Sequence, residues 1–279
     1  MRQDWRDLGF VHWAVDPSLV AGLMPPGVRP DVFEGRTYVG LIPFRMVAAG
    51  FAHGSAVPYL GTFLETNVRL YSVDGTGRRG IVFRSLDADR AAVVLGARSV
   101  FGLPYRWARM RHSSVPVDGG VEHRYATRLR RRGAPVVSLI RLRVLEPVPP
   151  SPLDLFLTAR WGLHVRYLGR TWYIPNTHEP WTFRRAEVLG LDDGLLAAAG
   201  LPGVASRPPD HVVFSDGVRT EFGPPVPATR ARGSGVWATP QASFIRRADA
   251  ARRSGGRRGR PRPGWPPGSR ADPQRRWPA

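Results

Sequence analysis

Seven polar residues lie among apolar or aromatic neighbours, where solvation explains them least: Arg6, Glu65, Asn67, Arg69, Arg98, Tyr105 and Arg106. If Glu65 is buried, its charge must be paired or its pKa raised, and either condition suits binding or general acid/base chemistry. Arginines beside it could hold a carboxylate or another oxyanion by charge-assisted hydrogen bonds. A structural ion pair of Glu65 with Arg69 or Arg98 is the plainer alternative.

Other chemistries are excluded. There is no lysine, so all 41 residues of the Lys+Arg count are arginine. Arginine stays protonated and is no amine nucleophile, so no side chain can form a Schiff base. Without cysteine there is no disulfide, thiolate nucleophile or cysteine metal site. Gly75-x-Gly77-x-x-Gly80 matches a dinucleotide fingerprint, but a strand follows it where a helix is required, so it reads as a hairpin turn. His178-Glu179 lacks the second histidine of a zinc-protease helix, since residue 182 is Thr182. The 7 histidines show no ligand spacing, so surface or capping roles are expected of them, and no metal or cofactor is called for.

Three of the seven polar residues share one segment, Thr62 to Tyr71, whose strict alternation predicts a β-strand. Leu64, Thr66, Val68 and Leu70 would face a core. Phe63, Glu65, Asn67, Arg69 and Tyr71 would face either solvent or a polar cavity inside a curved sheet. Asp74 to Gly80 turns the chain into a second strand over 81–86, forming a hairpin. Asp16 and Pro17 start a short helix that ends at Pro25-Pro26-Gly27, and a strand follows over 36–44, with Pro43 suggesting an edge or strand end. Asp87 or Asp89 would cap a helix over 90–98. Further strands are expected at 105–111, 121–129, 136–145, 165–174, 181–188 and 211–214, with helices from Ser151 toward Trp161 and over 192–201. Many close-spaced strands with a few short helices argue for one mainly antiparallel α+β domain.

The net charge of +19 is uneven: thirteen arginines and only two acids fall in residues 227–279. That Arg/Gly/Pro-rich tail has too little apolar surface to offset its ordering entropy, so it is expected to be disordered beside a folded domain at 1–226. Its arginines and scattered aromatics raise nucleic-acid binding as an alternative function. The opening residues lack a signal peptide's apolar run and no stretch reaches membrane-helix length, so a cytoplasmic protein with no membrane partner is expected.

Trp13-Ala14-Val15-Asp16-Pro17, Leu23-Met24-Pro25-Pro26-Gly27, Phe33-Glu34-Gly35, the Phe63 to Tyr71 strand, Phe83 to Ala88, Ala97-Arg98, Leu103-Pro104-Tyr105 and His178-Glu179-Pro180-Trp181 together resemble the YqjF-like bacterial family of unknown function. The resemblance spans roughly residues 4 to 225 in consistent order. That family is similar in fold to acetoacetate decarboxylase, which implies an antiparallel sheet wrapped into a barrel around an internal pocket. It also implies that the enzyme's pocket arginine falls on Arg6, a pocket glutamate on Glu65, and its paired lysines on Tyr105 and Arg106. A second pocket glutamate has no counterpart, the nearest position being Leu41.

The expectation is therefore a small-molecule pocket without imine chemistry. Arg6, Asn67, Arg69, Arg98 and Arg106 would bind a carboxylate or oxyanion, with Glu65 as acid/base and Tyr105 as hydrogen-bond donor. A structural barrel with a filled interior is the other alternative.

Overall fold

The computed structural model describes residues 2–50 and 61–228. Its elements are β1 (Arg2–Val15), α1 (Pro17–Ala21), β2 (Val28–Pro30), β3 (Thr37–Gly50), β4 (Phe63–Asp74), β5 (Arg79–Ala88), α2 (Ala91–Phe101), β6 (Tyr105–Val117), β7 (Gly120–Leu129) and β8 (Val137–Val148). They continue with α3 (Pro152–Thr158), β9 (Gly162–Tyr167), β10 (Arg170–His178), β11 (Phe183–Asp193), α4 (Leu195–Ala198), a 3-10 turn (Val204–Ser206), β12 (His211–Phe222) and β13 (Val226–Pro227). The expected tail at 227–279 lies almost wholly outside the described residues.

All thirteen strands join one sheet, in the order β13, β10, β9, β5, β6, β7, β8, β11, β12, β1, β3, β4, β2. Additional β4–β5 and β10–β12 pairings bring distant parts of this order together, curling the sheet into a partial ring. Most pairs are antiparallel, but β5 runs parallel to both β6 and β9, so the sheet is mixed. The β5–β6 pair is parallel because α2 carries the chain across between them, as a parallel connection requires.

Local chemistry explains several elements. Asp16 accepts from the backbone N–H of Ser18, with Pro17 in the first turn of α1. Asp74 Oδ1 accepts from the N–H groups of Thr76 and Arg78 while Gly77 takes φ 82°, so the chain turns between β4 and β5 over residues 75–78, and Gly80 already lies in β5. The cap expected of α2 is absent. Arg90 stands there without a side-chain cap bond, because Asp89 accepts from the N–H of Leu64 and Asp87 binds Arg106.

The structure departs from the sequence reading at two places. No strand is expected at the N-terminus, yet β1 runs centrally between β12 and β3. It is buried without interruption from Leu8 to Trp13, so it carries no alternation to read. Pro43, read as marking an edge or a strand end, lies within β3 between two partners. The β1–β3 register shifts between Arg6 and Val11, where Asp7 adopts φ 54°, and this bulge lies opposite the proline.

Strand β4 is buried on both faces. Val68 and Leu70 pack with Val11, Trp13, Val39 and Leu41 on one side. On the other, Phe63 packs with Phe10, Ile42 and Phe44, and Tyr71 with Phe156 and Leu163. The polar residues Glu65, Asn67 and Arg69 lie between Phe63 and Tyr71 along that second face, so it is not a solvent face.

Candidate functional site

That polar face opens onto a cavity of about 340 Å³. Its polar lining is Glu65 and Asn67 from β4, Tyr105 from β6 and Gln3 from β1. The remaining wall is apolar, with Trp5, Met46, Phe83, Leu86, Leu103, Leu163, Ile174 and Phe222, and the exposed Gly223-Pro224-Pro225 segment lies at its mouth. Few polar groups within a largely apolar concavity is the usual make-up of a small-molecule site.

Register assembles the polar side. Asn67 pairs with Leu86 across β4 and β5, and Leu86 pairs with Tyr105 across β5 and β6, so the three form a row on one face. Tyr105 spans β5 and donates its hydroxyl to Glu65 Oε2 at 2.9 Å. The Asn67 side chain also hydrogen-bonds to the Glu65 carboxylate. The neighbouring wall is held by Trp5, which donates its indole N–H to Gln3 Oε1 at 3.0 Å and stacks on Trp181.

Glu65 is 2% exposed and has no ion pair among the described residues. Burial pushes its pKa up to about 8, with the Asp87 carboxylate adding to the rise, while the bonds from Tyr105 and Asn67 oppose it. A pKa of about 8 favours the protonated form of Glu65 at pH 7. Burial and the adjacent Glu65 push the Tyr105 phenol well above its ordinary value, so it remains a donor.

The arginines expected beside Glu65 lie elsewhere. Arg69 shares the face but turns away: Nε donates to the Tyr71 hydroxyl at 3.1 Å and Nη2 to the Leu157 carbonyl at 3.2 Å. Gly40 opposite it leaves the space, since a Cβ there would sit 3.2 Å from Arg69 Cγ and 3.1 Å from the His12 ring. Arg106 follows Tyr105 in an extended strand and so points to the opposite face. There it clamps the buried Asp87 at 2.5 and 2.8 Å and also donates to Ser85 and the Ala198 carbonyl. Arg6 is exposed, with Nη2 3.7 Å from Asp4 Oδ2, and Arg98 is exposed on α2. Among the described residues no arginine lines the cavity. Strand alternation already separates Arg106 from Tyr105; nothing local reveals the partner of Arg69.

Two parts of the surroundings escaped sequence reasoning. Gln3 and Trp5 line the cavity from the unread strand β1. The histidines expected at the surface include the fully buried His12, which joins a chain of contacts: Asp154 Oδ1 to His211 Nε2 at 2.6 Å, His211 Nδ1 to His12 Nδ1 at 3.0 Å, and His12 Nε2 to the Tyr71 hydroxyl at 2.6 Å. Burial, the neighbouring His211 and Arg69 hold the His12 pKa well down. Among the described residues no group of three or more His, Asp or Glu could hold a metal ion, and no helix is long and apolar enough to cross a membrane.

Comparisons with known proteins agree with this architecture. The chain matches the DUF2071 family, described as an uncharacterized conserved protein, over residues 2–219. It is 32% identical over 188 residues to the uncharacterized protein YqjF of Bacillus subtilis (strain 168), covering 67% of this chain and 76% of that one. Among solved structures, the enduracididine biosynthesis enzyme MppR complexed with pyruvate superposes with a TM-score of 0.55 at 17% identity, covering 83% of this chain and 91% of that chain. An acetoacetate decarboxylase-like enzyme from Sphingomonas wittichii RW1 gives 0.54 at 14% identity, covering 82% and 92%. At such identities the likeness is one of fold.

Proposed function

The chain belongs to the uncharacterized DUF2071 family, and from the cavity built on this acetoacetate decarboxylase-like fold we propose that it binds a small molecule and exchanges a proton with it through Glu65. The observation that carries the reading is Glu65 itself, a carboxyl group 2% exposed, hydrogen-bonded by Tyr105, at the wall of a 340 Å³ cavity. Such an acid can donate to a ligand oxygen, and its conjugate base can remove an acidic proton. Tyr105, bonded to the same carboxyl group, steadies its orientation and stabilises the ionised form when the proton leaves.

Imine chemistry plays no part in the proposal, because position 105 carries a phenol and the chain has no lysine. The carboxylate-clamping role expected of Arg6 and Arg106 loses support, since one is exposed and the other pairs with Asp87. A wholly filled interior is disfavoured by the cavity beside Glu65.

Thermal stabilisation by a panel of small carbonyl compounds, amides and organic acids, pyruvate included, tests the reading. Wild type should be stabilised by some members, and Leu103→Trp, which fills the cavity, should abolish the shift. Deuterium uptake from D2O into a bound compound should fall at least a hundredfold in Glu65→Gln. Shifts that Leu103→Trp leaves unchanged would place binding outside the cavity and end the proposal.

A further inference from the structure

Strands β6, β7, β8 and β11 lie side by side, and alternation turns Ala108, Tyr125, Leu129, Ile140 and Leu142 into the core. Their sequence neighbours face outward, and register sets these in rows across the sheet. Trp107 lies beside Arg130, whose guanidinium sits over its ring at 4.4 Å. The next row is Arg109, Arg128 and Val137, and the one after it is Arg111, Ala126, Leu139 and Asp192. Farther along, Arg124 and Arg141 both bind Glu122, and Arg143 pairs with Glu187. None of these residues lines the cavity.

Charge is therefore sorted along the strands. At the Glu122 end the arginines have acids between them. At the Trp107 end four exposed arginines (Arg109, Arg111, Arg128 and Arg130) share the face with Asp192, which stands on β11, two strands from Arg128 and so roughly 10 Å or more away. Like charges directly opposite one another, as Arg109 and Arg128 are, destabilise a sheet. An anion laid over this end relieves that repulsion. Trp107, 42% exposed, offers it an aromatic ring.

We propose that the Trp107 end of this face binds single-stranded nucleic acid, with Arg109, Arg111, Arg128 and Arg130 on successive phosphates. Trp107 stacks on a base as Arg130 turns from its ring to a phosphate. Guanidinium forks match phosphate oxygens, and cations interleaved with an exposed ring suit single strands of any sequence. A second copy of the chain would set the same excess charge against itself. A lipid surface is a poorer fit, because Val137 and Leu139 stand in mid-sheet, not on a protruding apolar edge.

Fluorescence anisotropy of the full chain with a labelled oligothymidylate of about 15 nucleotides, at salt from about 50 to about 300 mM, tests this. Each phosphate contact to a single strand contributes about 0.7 to the salt slope, so Arg109→Gln/Arg128→Gln should lower it by about 1.4 and weaken binding about tenfold or more. Arg111→Gln/Arg130→Gln should do the same, so either pair decides the matter if the other misfolds by circular dichroism. Arg2→Gln/Arg185→Gln removes equal charge from exposed ion pairs elsewhere and should leave the slope unchanged. Trp107→Ala should weaken binding about fivefold or more at an unchanged slope.

Folded face variants that bind like wild type would place binding elsewhere on this basic chain and overturn the proposal. No binding at about 50 mM salt, or a duplex bound as tightly as the single strand, would overturn it too. So would phosphatidylserine vesicles captured by this face when the oligonucleotide is not.

Discussion

Tyr105 and Glu65, forty residues apart in sequence, meet across strand β5 in a buried 2.9 Å hydrogen bond, with the phenol donating to the carboxyl group. The bond joins two cavity-lining groups, one of which must lose or gain a proton for acid/base chemistry to occur.

Glu65 should leave a signature in the pH dependence of stability. Its folded pKa of about 8 lies above the ordinary 4.5, so between these values the folded state holds a proton that the unfolded state releases. Stability therefore falls as pH rises through that window, by up to about 1.4 kcal/mol per pH unit, and levels off above it. Glu65→Gln removes this slope. Denaturant titrations at intervals from pH 5 to 9 should show the variant gaining on wild type up to about pH 8, whereas parallel curves would refute the assignment. The low His112 and His164 pKa values, both about 4, act oppositely in acid and cancel in the difference.

Tyr105→Phe removes a donor that favours the ionised carboxylate, so the Glu65 pKa should rise further. Carbon-13 NMR of the labelled carboxyl group measures this. The lost bond should cost about 1 kcal/mol at pH 6. A lower Glu65 pKa in the variant would show that the phenol does not serve the ionised form.

Arg106 should prove structural. Arg106→Met leaves the fully buried Asp87 without its bidentate partner, at a cost of about 3 kcal/mol at pH 7. The cost should shrink toward pH 4, because the stranded carboxyl group, its pKa raised, protonates in the folded state. Adding Asp87→Asn should recover most of it. Stabilisation by cavity ligands should be unchanged in the folded double variant, and its loss would return Arg106 to the site.

Gly217 holds the wall that carries Gln3 and Trp5. Its φ is +133°, and a Cβ there would lie 2.0 Å from the backbone oxygen of Trp5. Gly217→Ala should cost about 3 kcal/mol and force β1 away from β12. Chemical denaturation and tryptophan fluorescence report the two effects, and a variant as stable as wild type with an unshifted spectrum would contradict this geometry.

What the sequence determines by itself is local. The alternation over Phe63 to Tyr71, the Asp74 turn and the Asp16 cap are each set by residues within a few positions of one another, and each forms as expected. The absence of lysine likewise removes imine chemistry without reference to any fold. Tertiary structure decided the rest. The same alternation fits solvent or cavity, and only the packing of β4 on both faces buries Glu65. Strand β1 was illegible because burial on both faces erases the two-residue period. Which arginine serves which carboxylate was equally hidden, since any arginine can pair with any acid until register fixes the neighbours. The parallel β5–β6 alignment sets Tyr105 on Glu65 and sends Arg106 to Asp87, and such pairing between distant segments arises only when the whole sheet closes.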